Sequence, residues 1–229
     1  MPRPPRITQP GVVYHVLNRR VMRLTLFEKD RDYEAFERVL AASLDRPDAP
    51  GLLAYCLMPT HWHLVVQARK RTHLSTWMQW VTVTHTHRRH SHYHTIGEGP
   101  LYQGRFKSFP VQEDVHFLTV CRYVEANALR ARLVRRAEAW RWGSLWCREN
   151  GGTILHDHLR EWPIHRPRNW MGDVNRELAE PAMEAVRQSV LRGVPLGGDA
   201  WRRRIANRLG LELTVRPRGR PRKGPDNST

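Results

Sequence analysis

The sequence predicts an α+β fold, on three observations. Runs rich in β-branched and aliphatic residues alternate with longer stretches of helical period, in the order β-α-β-β-α-β-α. Two of the strand runs are separated only by Pro59-Thr60, a connection that suits an antiparallel hairpin. Beyond residue 150 the character shifts to an irregular connector and two helical stretches. Together these describe a ferredoxin-like antiparallel sheet with helices packed on it, followed by a helical, basic C-terminal extension.

The first strand is expected at Val12–Asn18. A helix follows at Asp30–Ser43, where Tyr33, Phe36, Val39 and Leu40 recur at helical spacing, and Pro47, Pro50 and Gly51 end that unit. Strands at Leu52–Met58 and 61–67 form the hairpin. A second helix covers 73–90 and carries Trp77 and Trp80 toward the core; Gly97, Gly99 and Pro100 then mark a loop. Arg105–Val111 is the fourth strand. Residues 113–130 read as one helix, with Glu113 and Asp114 at its start and Arg130 and Arg132 near its end, as the helix dipole prefers. Trp142 and Trp146 are expected in the core. Trp162, Pro163, Pro167 and Trp170 make the connector, and helices at 176–192 and 199–209 either form a helix-turn-helix or pack back onto the sheet. The domain bounds are therefore set at 1–150 and 151–215, with a proline- and arginine-rich tail over 216–229 that should be disordered when free.

Thirty-eight Lys and Arg against 22 Asp and Glu leave a net charge of +16 on 229 residues, which favours a polyanionic partner. No stretch approaches the roughly 20 apolar residues of a membrane span. The N-terminus lacks the apolar core of a signal peptide. Nucleic acid is thus the expected partner, and the cytoplasm, with its nucleoid, the expected location. Cys56, Cys121 and Cys147 are odd in number and widely spaced, which argues against a disulfide framework or a thiolate metal site. His85, His87, His90, His92 and His94 cluster in or after the second helix. Positions 87, 90 and 94 can share a helical face, as a second metal site or as a solvated, phosphate-facing surface.

Two constellations carry chemistry. In His61-Trp62-His63-Leu64-Val65-Val66 the strand period puts both imidazoles on one face and Trp62 on the other. Alternate strand positions lie roughly 6.5–7 Å apart, close enough to share one metal ion. In the 113–130 helix, Phe117, Cys121, Val124 and Ala128 make the buried stripe, and His116, Tyr123, Asn127 and Arg130 a second line beside it. A tyrosine nucleophile, an amide-oxygen ligand and a phosphate-pairing arginine can share that edge; a packing role for Tyr123 is the alternative.

Pro59-Thr60-His61-Trp62-His63-Leu64 followed by Arg122-Tyr123-Val124-Glu125-Ala126-Asn127 resembles the signature of the single-tyrosine HUH nucleases, transposases that cut single-stranded DNA. Leu101-Tyr102-Gln103-Gly104-Arg105-Phe106-Lys107-Ser108 resembles that class too. Tyr14-His15-Val16-Leu17-Asn18-Arg19, Trp142-Gly143-Ser144-Leu145 and the basic C-terminal extension are similar to one subgroup, the REP-associated tyrosine transposases. The likeness runs from about residue 7 to 224. Three positions depart from it: Ala128 stands where proline is frequent, Tyr102 where tryptophan is common, and Trp62 is bulkier than the usual aliphatic. Tyr102 should leave an aromatic stacking surface in place.

The resemblance implies a metal-dependent single-stranded DNA endonuclease and strand-transferase, cutting at REP-type hairpins through a 5′-phosphotyrosine. It implies His61, His63 and Asn127 as metal ligands, Tyr123 as nucleophile, and Mg²⁺ or Mn²⁺ as the ion; imidazole ligands would also accept Zn²⁺ or Ni²⁺. Arg19, Arg105, Lys107 and Arg130 are candidates to hold phosphates. Arg218 and Arg220 either reach a narrow A·T-rich minor groove or belong to a solubilising tail. The partner is single-stranded or hairpin DNA, and the chain acts as a monomer or homodimer. The alternatives are a non-catalytic protein that recognises nucleic-acid hairpins, or an RNA-binding protein.

Overall fold

The computed structural model describes residues 7–216, in which a four-stranded antiparallel sheet is covered by helices on both faces. Strands β1 (Val13–Arg19), β2 (Gly51–Met58), β3 (His61–Gln67) and β4 (Lys107–Val111) lie in the order β2-β3-β1-β4. Helix α1 (Asp30–Leu44) connects β1 to β2, and α2 (Leu74–Tyr93) connects β3 to β4. This is the predicted ferredoxin-like order, with most boundaries within one to three residues of expectation.

Because both faces are covered, the period of two commits each strand residue to one of two cores. Val16, Leu57, Trp62, Leu64 and Val66 pack beneath α1 and α2 against Phe36, Leu40 and Trp77. Val13, Cys56, Val65 and Phe109 face the other way, against Phe117, Val120, Cys121 and Val124 of α3 (Val115–Glu125). The Trp62 indole N–H donates to the Tyr102 hydroxyl at 3.1 Å, and that hydroxyl lies 2.7 Å from Nδ1 of buried His85. Tyr102 is therefore a core bridge, 7% exposed, and not the exposed stacking surface expected of it. Trp77 is buried as predicted, whereas Trp80 is only partly covered, with Arg46 over its ring. Trp142 is buried, but Trp146 is half-buried beneath Arg141.

The helix expected over 113–130 is in fact two. Asp114 is the N-cap, accepting the His116 backbone N–H at 2.8 Å, so helical structure starts after it. Ala126 then interrupts the run before α4 (Asn127–Arg130). Glu125 is buried at this break, and its carboxylate accepts from the Ser144 hydroxyl and from the Trp170 indole N–H, each at 2.6 Å. It thereby ties α5 (Ser144–Asn150) and α6 (Trp170–Asn175) to the end of α3. Desolvation raises the Glu125 carboxyl above its ordinary range, and these two donors oppose that shift.

Helix α6 falls where only irregular chain was expected. Helix α7 (Glu180–Arg192) begins later than position 176, with proline in its first turn, and α8 (Asp199–Leu209) has its predicted bounds; α9 (Glu212–Val215) is a short addition. Of the two arrangements open to α7 and α8, the structure shows packing onto the sheet. Val186 joins the α3 core, while Ile205 and Leu209 join the α1–α2 core. Between them Leu196 runs beside β4, its N–H donating to Pro110 and its carbonyl accepting from Gln112, both at 2.9 Å. The opposite edge is also occupied: the Leu57 N–H donates to Trp142, and the Arg160 N–H donates to Leu52, each at 2.8 Å.

Replacing Glu125 leaves two buried donors without an acceptor. Glu125→Ala should lower unfolding free energy by about 2–5 kcal/mol, and Glu125→Gln by roughly half of that, since one oxygen persists. Urea denaturation measures both; a loss below about 1 kcal/mol for the alanine variant would show that the tie does not hold these helices.

Candidate active site

The face of the sheet that α3 covers carries the histidines. In β3, His61 and His63 point to this face because Trp62 points to the other. Register places His63 opposite Leu17 and His61 opposite Arg19 of β1. His15, two residues before Leu17, lies on the same face. Its Nε2 is 2.8 Å from Nδ1 of His63, and the two ring planes differ by 6°. The His61 and His63 ring centroids are 4.9 Å apart, and Nδ1 of His61 is 2.9 Å from the Thr60 hydroxyl oxygen.

Helix α3 lies on this ledge through its fully buried stripe of Phe117, Val120, Cys121 and Val124. Tyr123, beside the stripe, is half-buried and stands edge-on to both rings. Its ring centroid is 6.0 Å from that of His63 and 6.3 Å from that of His15. Arg130, two helical turns further on, lies over the tyrosine, with its guanidinium carbon 4.2 Å from the ring centroid. That guanidinium also donates to the Tyr123 carbonyl at 3.2 Å and to the Asn127 side-chain oxygen. Tyr123, Asn127 and Arg130 are thus gathered as expected. His116 is not among them, because it pairs with the Asp114 carboxylate at 2.7 Å.

Burial keeps the histidines neutral. Desolvation pushes His15 down to about 3; His61 is pushed down to about 4, with Arg19 and Arg130 adding to its burial. His63 lies well below its ordinary value, from burial and then from His61, His15 and the same arginines. Neutral imidazoles offer lone pairs to a cation. Among the described residues no three His, Cys, Asp or Glu side chains gather as a cation site, neither here nor among the α2 histidines. His61 and His63 therefore need a donor of another type. Asn127 is buried, its Nδ2 has no partner, and its oxygen is presently held by Arg130. Two imidazoles and an amide oxygen suit a divalent first-row cation.

Arg19, Arg105 and Lys107 converge, lining a cleft of about 350 Å³ together with Asn18 and Leu191. Arg105 sits in the loop before β4, since the strand begins at Lys107. A second cleft of about 380 Å³ lies between α3–α4 and α6–α7 and adds Arg122, Arg132 and Arg176 to Arg130. In the sequence Arg122 stands only within a motif and Arg132 only as a helix-end charge, and nothing local marks Arg176. His15 was legible only as part of a motif; its alternation with Tyr14 and Val16 marks the face but not the contact. Arg218 and Arg220 lie outside the described residues.

The sequence pattern of the family described as "Transposase IS200 like" matches residues 8–127. Among solved structures, the chain is similar to a REP-associated tyrosine transposase bound to a REP hairpin. Identity is 16% and the TM-score 0.52, over 72% of this chain and 95% of that one. No curated protein matches the chain.

The buried histidines set a pH dependence. An unfolded histidine titrates near 6.5, and these folded groups titrate lower, so their contribution is complete above about pH 6.5 and is lost as pH falls through 5 toward 4 and 3. Each group costs up to about 1.4 kcal/mol per pH unit in that window. Urea unfolding of the metal-stripped protein at about pH 7, 6 and 5 should give steadily lower stability. A flat profile would mean that the rings are solvated.

Proposed function

Because the chain belongs to the IS200-like transposase family, we propose that it is a metal-dependent single-stranded DNA endonuclease and strand-transferase that cuts at REP-type hairpins. The observation that carries this is the Tyr123 ring set edge-on against the His61–His63 ledge beneath an arginine. The Tyr123 phenol oxygen attacks phosphorus in line, losing its proton; the phosphorus–O3′ bond breaks, and the leaving 3′-oxygen takes up a proton. The product is a 5′-phosphotyrosine and a free 3′-hydroxyl. Phosphodiester energy is retained in that bond, so rejoining requires no nucleotide cofactor.

Arg130 stacks on the tyrosine ring, a cation–π contact that holds the ring beneath a positive charge. His61, His63 and Asn127 would hold a divalent cation, Mg²⁺ or Mn²⁺, which when bound polarises the phosphoryl oxygens. For Asn127 to serve, Arg130 would release its oxygen, leaving the guanidinium to pair with phosphate. Arg19, Arg105 and Lys107 pair with phosphates along the cleft they share. All these residues fall within 1–150, which we assign to the nuclease domain, with 151–215 as its helical extension. Among the described residues no helix is long and apolar enough to cross a membrane. The place of action we assign is the nucleoid. One observation favours the alternative of hairpin binding without cutting: the Asn127 oxygen is engaged by Arg130.

Labelled hairpin DNA with a single-stranded flank, incubated with Mn²⁺ and run on a denaturing gel, should give a covalent adduct with the wild type and none with Tyr123→Phe. Adduct in the Phe variant would assign the nucleophile elsewhere. Its absence from the wild type across a panel of hairpins and metals would select binding alone. His61→Ala and His63→Ala should lose Mn²⁺ binding and adduct together, and Asn127→Ala should lose less, since water replaces a neutral oxygen.

Hairpin affinity measured against salt tests the cleft. Arg19→Ala and Lys107→Ala should each flatten the slope of log affinity against log salt by about 0.7–0.9. An unchanged slope would place the DNA backbone elsewhere.

A further inference from the structure

One buried residue of the ledge has no task in the reaction so far. We propose that His15 is a positioning residue that accepts a hydrogen bond from Nδ1–H of His63 and so leaves the His63 Nε2 lone pair free to face a cation. This rests on the proposed role of His61 and His63 as cation ligands.

The geometry limits what the pair can do. A 2.8 Å separation between His15 Nε2 and His63 Nδ1, with ring planes 6° apart, is an in-plane N–H···N hydrogen bond, in which one nitrogen donates and the other accepts. If His15 donates, the proton of neutral His63 sits on Nε2 and closes that nitrogen to any cation. If His63 donates, Nε2 is open, and the proton of His15 sits on its own Nδ1. Only the second arrangement serves a ligand.

His15 itself is not placed to be a ligand. Its near nitrogen is used on His63, its Nδ1 is buried with no partner, and it forms no three-residue cation cluster with His61 and His63. Nor is its ring free to turn. It is fully buried, with the Phe109 ring at 4.9 Å and the Tyr123 ring at 6.3 Å, both tilted steeply to it. A leucine would suit such surroundings better, since a buried polar group costs stability unless it is bonded. The bond to His63 is the one this ring makes.

The contrast with His61 sharpens the assignment. Its Nδ1 meets the Thr60 hydroxyl, which rotates and can either give or take a proton, so it imposes no tautomer. His15, an aromatic ring locked in plane, fixes both the orientation of His63 and the nitrogen it presents. Such outer partners of ligating histidines typically change metal affinity 10–100-fold when removed.

The test uses the full chain. Calorimetric titration with Mn²⁺ should show His15→Leu binding 10–100-fold more weakly than wild type. His15→Gln, whose amide oxygen can accept the same hydrogen bond, should recover most of that affinity. Hairpin binding in EDTA should be the same in all three, which separates ligand positioning from folding. Two-bond ¹⁵N–¹H spectra of the wild type loaded with diamagnetic Zn²⁺ should place a proton on Nδ1 of His63 and leave Nε2 of His15 bare. Equal Mn²⁺ affinity in wild type and His15→Leu, or a His15 protonated at Nε2, overturns the proposal while the cation site stands. A wild type that binds neither metal overturns the cation site, and this proposal with it. The wild-type spectrum requires no variant, so it decides even if His15→Leu does not fold.

Discussion

A sheet buried on both faces leaves β3 a single register. Every residue from 62 to 66 enters one of two closed cores, and a slip of one position would exchange all of them. Trp62 would then be forced onto the ledge, and two imidazoles would enter the apolar space beneath α1 and α2. Large, fully buried Trp62 makes that exchange costly, because its ring packs near Phe36 and its indole N–H has a fixed acceptor in Tyr102. The precision of the histidine ledge is thus set from behind, by residues that never touch it.

The second half of the site depends on where α3 ends. Its apolar stripe fixes the rotation of the helix, but Glu125 fixes its far end by gathering donors from α5 and α6 into one buried carboxylate. Immediately beyond, Ala126 interrupts the helix, and the short turn that follows carries Asn127 and Arg130, whose guanidinium bonds the Tyr123 carbonyl. Arg130 lies with its guanidinium over the Tyr123 ring.

Much of this was legible in the sequence because the governing patterns are local. Alternation in 61–67 told apart the two faces of β3, and the 3.6-residue stripe from Phe117 to Ala128 placed Tyr123 beside the core. What the sequence withheld depends on partners far along the chain. The break at Ala126 interrupts no hydrophobic pattern, since Ala128 continues the stripe, and its surroundings are set by Ser144 and Trp170. Tyr102 reads as a stacking aromatic until Trp62, 40 residues away, supplies its partner. His15 meets His63 only through the β1–β3 register, and Arg19 meets Lys107 only once β1 pairs with both neighbours. Helix α6 lies among prolines and tryptophans that carry no clear period.

Among the described residues both edges of the sheet are partly occupied by the chain's own backbone. Segments near 142 and 160 occupy β2, Leu196 occupies β4, and Pro110 contributes no N–H of its own along that strand. Exposed strand edges are templates on which a second chain can lengthen a sheet, whether in a regular dimer or in an aggregate. Here that template is already used by the chain's own backbone. A second copy, or a partly unfolded neighbour, would have to peel away the connector between α7 and α8, or the segments beside β2, before it could add a strand. Association between molecules of this fold is thereby left to side-chain surfaces, where charge and shape, and not backbone pairing, decide what adheres.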